Sequence, residues 1–184
     1  MLFRSIPAIT MRSFADERKS GTIELLMTQP LSDLQVVVAK YLAGVALVII
    51  SLLPTLFYYF SVYQLGLPKG NLDTGSIWGS YIGLVFLGAG FVAIGIFASS
   101  VTDNQIVSFI VAMFLCFFIY MGFEFVYTFV ISGKTGLFIQ SLGLSAHYSS
   151  MSRGVIDTRD MIYFCSITAI FILLTKISLE SRKW

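Results

Sequence analysis

Four apolar stretches, at 36–63, 77–99, 105–131 and 161–177, limit what this chain can become. A bilayer about 30 Å thick takes roughly 20 helical residues to cross, and each stretch is of that order. Lipid offers no hydrogen-bond partner to a peptide group, so such segments must satisfy their backbone internally and form helices. The prediction is an all-α polytopic membrane protein with four full transmembrane helices. Composition agrees: 57% of residues are hydrophobic and 12% charged, about half the charge of a soluble domain. A net charge of +2 with no large basic cluster gives no footing for nucleic acid.

Local signals place the helix boundaries. Ser32 can cap a helix while Gln35 reaches back and Leu31 staples onto Val36. The same arrangement recurs at Thr102 to Gln105, ahead of Ile106. Pro30 closes whatever precedes it, and Pro54 should kink the first span by removing a backbone donor. The connection 64–76 carries Gly66, Pro68, Gly70 and Gly75, a turn composition. In the connection 132–160, Leu137, Phe138 and Leu142 can form one side of a short helix on the membrane surface. Gly79 and Gly83 have small-xxx-small spacing suited to close helix packing, which Ala98 and Thr102 extend.

Side assignment follows the lysine and arginine count in short flanks. Arg4, Arg12, Arg18, Lys19, Lys40, Lys176, Arg182 and Lys183 fall on one side, against Lys69, Lys134, Arg153 and Arg159 on the other. The richer side reads as cytoplasmic, with the C-terminus on it. Residues 1–10 are too short for a cleavable signal and read as the last turns of a membrane helix whose beginning is absent. Cys116 and Cys165 lie in apolar runs and read as packing residues. His147 has no Cys or His at ligand spacing, so no metal site is expected.

The one long polar stretch runs from Met11 to Pro30. Residues 11–18 can carry a helix out of the membrane. Gly21 then suits a helix end and Thr22 a new cap, followed by a short helix over 23–28. Such an elbow offers apolar knobs and the carboxylates of Glu17 and Glu24 to a partner; the plainer reading is a solvated loop. Glu124 is the acidic residue deep in a span. It is either a pathway group facing protein or water, or a carboxylate near the far headgroups. Tyr58, Tyr59, Tyr63, Tyr120 and Tyr127 read as an interfacial aromatic belt.

The run from Phe14 through Glu17, Arg18, Gly21, Thr22, Ile23, Glu24, Leu25 and Leu26, followed by Pro30 and a span opening with Lys40, resembles the cytoplasmic coupling segment of ABC-2-type transporter permeases. The stretches 6–12, 28–32 and 40–43 resemble, within that family, its gliding-motility-associated permease subunits. The resemblance implies a division into 1–35, a helix end plus coupling segment, and 36–184, the transmembrane domain. Glu17, Arg18, Gly21, Thr22, Ile23, Glu24, Leu25, Leu26 and Met27 would dock on a cytosolic ABC ATPase. A second permease chain would complete the unit in the inner membrane. The family has six spans, so the chain is expected to be N-terminally truncated. ATP and Mg would sit on the partner, with no cofactor on this chain. No Walker loop, Gly-x-Ser-x-Gly elbow or His-Glu-x-x-His motif occurs in the sequence, and Gly133-Lys134-Thr135 lacks the upstream glycine of a phosphate loop. The chain is therefore expected not to be an enzyme. The alternative is a membrane anchor or assembly protein without transport.

Overall fold

The helix Thr74–Val101 stands at the centre of the molecule, and its own residues explain why. In a computed structural model that describes residues 2–22, 32–66, 72–129 and 139–181, 67% of its most apolar window is buried, against 17–22% in the other three spans. Gly79, Gly83, Gly88, Gly95 and Ala98 line it and are buried. Small side chains let neighbouring helices approach on several faces, the packing mode available where lipid removes the hydrophobic drive.

In chain order the elements are α1 (Leu2–Thr10), α2 (Ala15–Lys19), α3 (Asp33–Leu52), α4 (Leu56–Leu65), α5 (Thr74–Val101), α6 (Gln105–Phe117), α7 (Phe123–Phe129), α8 (Leu144–Ser152) and α9 (Thr158–Glu180). Among the described residues there is no strand, and four helical stretches are long and apolar enough to cross a membrane: Asp33–Leu65, Thr74–Val101, Gln105–Thr128 and Thr158–Glu180. The fold is all-α and polytopic. Helices α1, α3, α6, α8 and α9 all pack on α5.

The first span begins at a reciprocal cap. Ser32 Oγ accepts from the Gln35 amide, and the Gln35 side chain accepts from the Ser32 amide at 2.9 Å; Leu31, the expected staple, lies outside the described residues. Pro54 divides the span through a 3-10 turn at Leu53–Thr55. There Thr55 Oγ1 donates to the Leu52 carbonyl at 2.6 Å and lies 3.0 Å from the Tyr81 hydroxyl. A tighter turn absorbs the donor that proline lacks.

Several boundaries differ from the expectation. Asn104 rather than Thr102 caps α6, accepting from the Ile106 amide at 2.9 Å, because Thr102 Oγ1 turns back to the Ala98 carbonyl at the end of α5. The last span starts at Thr158, where Asp157 accepts from the Arg159 amide, and runs to Glu180. Hydropathy alone trims it because Arg159 and Asp160 fall inside its first turn. A π-helical turn at Phe118–Gly122 joins α6 to α7, a feature with no clear mark in the apolar run around it. Tyr120, assigned to the aromatic belt, instead sits edge-on to the buried Phe91, with centroids 6.2 Å apart. Cys116 is buried, but Cys165 is exposed on α9, so only the first is a core residue.

At the end of the bundle remote from the N-terminal elbow, α8 lies against α5. It is not the surface helix expected around Leu137 and Phe138, which lie outside the described residues; Leu142 is in the turn before it. A Cβ on Gly79 would come 2.4 Å from the Met151 carbonyl oxygen, and one on Gly83 would press on Tyr148 and Met151. Ser76 Oγ donates to the Ser152 carbonyl at 2.7 Å. His147 fastens α8 to α9: Nδ1 is 2.6 Å from Asp160 Oδ1, Nε2 is 2.8 Å from the Ser141 carbonyl, and the ring stacks on Tyr163. The Tyr163 hydroxyl donates to the Leu142 carbonyl. Burial raises the Tyr148 phenol above its ordinary range.

Candidate coupling elbow

The polar segment is built from its contacts with α5 outward. Helix α1 descends along α5 and ends at Thr10, whose hydroxyl donates to the Ile6 carbonyl at 3.0 Å. Thr10 is 1% exposed, and it fits because Gly95 faces it: a Cβ there would stand 2.0 Å from Thr10 Oγ1. Ile6 meets Gly88, near the middle of α5. Arg4, counted above with the elbow-side charges, therefore stands on the exposed side of α1 at mid-helix depth, two residues before Ile6.

The expected continuous helix over 11–18 does not form. Residues 11–14 make a turn, and α2 restarts at Ala15. Phe14, at the N-cap position, has no side-chain oxygen to cap α2. A serine from α5 does so instead. Ser99 Oγ accepts from the Phe14 amide at 2.9 Å and the Ala15 amide at 3.0 Å, and donates to the Met11 carbonyl at 3.1 Å. Two of the orphan donors at a helix start are thereby satisfied across the fold. Ser99 is fully buried and Phe14 is 1% exposed.

Two ion pairs then tie α2 to other spans. Lys40 Nζ, on α3, is 2.5 Å from Glu17 Oε1, donates to the Ser13 carbonyl, and lies 4.6 Å from the centroid of the Phe14 ring. Arg18 Nη1 is 3.2 Å from Asp103 Oδ1, just before α6. Helix α2 ends at Lys19, and past its cap at Ser20 the chain turns at Gly21, whose φ of +71° is a left-handed conformation that costs other residues more. The Thr22 hydroxyl turns back toward the Glu17 carbonyl at 3.3 Å and lies 2.8 Å from Ser20 Oγ. It thus serves the end of α2; the helix expected after it, over 23–28, lies outside the described residues.

Of the sequence-derived docking residues, the structure brings Glu17, Arg18, Gly21 and Thr22 into one elbow. Ile23, Glu24, Leu25, Leu26 and Met27 lie outside the described residues. Glu17 and Arg18 face the bundle, leaving Lys19, Ser20, Gly21 and Thr22 exposed. Ser99 and Lys40 are the site residues that sequence reasoning did not assign. The signal for Ser99 is a hydroxyl pair, Ser99-Ser100, inside an otherwise apolar span.

A cavity of about 510 Å³ lies beside α1, lined by Ile6, Ile9, Ser51, Thr55, Tyr120 and Tyr148 among others. Glu124 does not line it; it is exposed on α7 and forms no ion pair among the described residues. Those residues also contain no cluster of His, Cys, Asp or Glu able to hold a metal.

Four apolar spans, the central one rich in small residues, and a polar elbow held from three sides define a multi-pass membrane protein. The family model described as ABC-2 family transporter protein matches residues 6–182, so the chain belongs to that family. Its four candidate membrane spans agree with a membrane-embedded member of that family. A search of curated proteins finds no match.

Proposed function

We propose that this chain is the transmembrane permease subunit of an ATP-driven ABC-2 exporter. A separate cytosolic ATPase would grip it at the elbow, and a second permease chain would complete the pathway. The observation that carries the reading is the attachment of the elbow to three different parts of the bundle at once, through Ser99, Lys40 and Asp103. A solvated loop needs no such anchoring, whereas a handle that must move spans does. Family membership supports the same reading. ATP and Mg would be bound by the partner.

The elbow side is assigned to the cytoplasm of a bacterial inner membrane, with the C-terminus on it. Support comes from Arg12, Arg18, Lys19, Lys40 and Lys176 on that side, against Arg153 and Arg159 at the far end. The stretches 6–12, 28–32 and 40–43 support a link to gliding motility. The pathway is placed at the hydroxyl-bearing cavity between α1, α3 and α5, with Glu124 as a second candidate group.

The test is mass spectrometry of the complex purified through a C-terminal tag at the chromosomal locus, with surface spreading scored in a deletion strain. A stoichiometric ABC ATPase is the expected companion. Its absence would leave a membrane anchor or assembly protein, and unchanged spreading would remove the motility link alone.

A further inference from the structure

We infer that Lys40 is the positioning residue through which displacement of the elbow reaches the first span, a role that rests on the permease reading above. The three attachments of the elbow are not equivalent. Arg18, its side chain only 7% exposed, pairs with an aspartate whose side chain is 71% exposed, so water and salt reach the pair from the Asp103 side and weaken it. Ser99 holds the backbone at 11–15 to α5, the most buried span, on which α1, α3, α6, α8 and α9 pack and which is therefore least free to move. Lys40 is different on both counts.

Its ammonium group reaches three features of the elbow at once: the Ser13 carbonyl, the Glu17 carboxylate and the face of Phe14. The Lys40 and Glu17 side chains are only 22% and 26% exposed, so the pair is partly desolvated and its attraction is less screened. The second oxygen of Glu17 is buried without a hydrogen-bond partner, which leaves Lys40 to neutralise that carboxylate. Helix α3, meanwhile, encloses far less of its surface in the bundle than α5 does. Its buried positions are Val37, Gly44 and Val48, one narrow stripe, and only 17% of its span window is buried. A three-point grip on a helix less enclosed than α5 means that when the elbow shifts, α3 follows while α5 stays. Glu17 and Arg18 thus act inside the permease, and docking falls to the exposed rim Lys19, Ser20, Gly21 and Thr22.

The experiment uses the native complex with its co-purified ATPase in nanodiscs, in a Cys116→Ser, Cys165→Ser background. Spin labels at Gln64→Cys, the far end of α4, and Arg159→Cys, at the start of α9, report the distance between the first and last spans. Measurements are made with and without a non-hydrolysable ATP analogue and Mg. The parent complex should show a nucleotide-dependent change in distance, and Lys40→Arg should keep it. The double variant Glu17→Gln with Lys40→Met, which removes both charges together, should retain the ATPase and lose the change. Lys40→Gln, which keeps a hydrogen-bond donor but not the charge, should show a reduced change and serves if the double variant does not assemble. Retention of the full change in the double variant or in Lys40→Gln overturns the role of Lys40 while leaving the permease reading intact. No nucleotide response in an ATPase-bound parent overturns it equally, and a parent complex without ATPase removes both.

Discussion

The hydroxyl of Ser99 and the amide of Phe14 meet at 2.9 Å although 85 residues separate them in the chain. Through this contact a transmembrane helix caps a helix that is not its own. Removing the hydroxyl leaves the Phe14 and Ala15 amides without their acceptor in a dry site. Ser99→Ala should therefore cost about 2 kcal/mol of local stability. The expected readout is faster tryptic cleavage after Arg18 and Lys19, with the thermal transition of the bundle changed little. Cleavage at the parent rate would show that the cap contributes nothing.

The seat of Thr10 on Gly95 leaves no room for a methyl group. Gly95→Ala should destabilise the protein by about 1–3 kcal/mol through overpacking, visible as a lowered melting temperature in detergent. Thr10→Ala in the same chain should recover part of the loss, because it removes the hydroxyl that the new methyl meets first. An additive double variant would place the strain elsewhere.

Gly21 presents the opposite case: a built Cβ meets nothing within 4 Å, yet φ is +71°. Space is available, so the penalty for substitution is conformational. Gly21→Val should cost about 1–2 kcal/mol at the end of α2 and weaken recovery of the ATPase on a tagged permease. Gly21→Asn, which tolerates the left-handed region, should be recovered with its ATPase as the parent is. Equal recovery of all three proteins would detach Gly21 from docking.

At the far end, Asp160 is 7% exposed and holds the His147 ring against Tyr163. Replacing it by alanine leaves one imidazole nitrogen without its partner in a partly buried site. Asp160→Ala should lower stability by about 2 kcal/mol and speed hydrogen exchange across Leu144–Ser152 more than across α6. Unchanged protection of that helix would mean that its packing on Gly79 and Gly83 holds it alone.

Arg18→Gln provides the contrast. Its partner Asp103 is largely exposed, so the change in stability should stay below about 1 kcal/mol and show in thermal unfolding as a shift near the limit of detection. A large loss would mean that the pair is more sheltered than its geometry indicates.

The spans were legible in the sequence because membrane insertion depends on local, additive hydropathy. The box at Ser32 and Gln35 was legible because capping is written within four residues. What escaped depends on contacts between distant positions. The break at 11–14 follows from Ser99 offering a better acceptor than a continued helix, and no window around Met11 contains that serine. The true start of the last span was hidden because Asp160 counts as polar in a hydropathy window yet is buried beside His147. Lys40 read as a flanking charge, since nothing in its neighbourhood reveals Glu17 or Ser13 above it.

One helix carries the close-packing contacts at both ends of the molecule. Gly79 and Gly83 take α8 at one end of α5, while Gly95 and Ser99 take α1 and the elbow at the other. Its 28 residues span roughly 42 Å at 1.5 Å per residue, more than the thickness of the hydrocarbon core. The two faces of the membrane are thus joined by a single uninterrupted strut, so any looseness in its seat at one face is felt as tilt at the other.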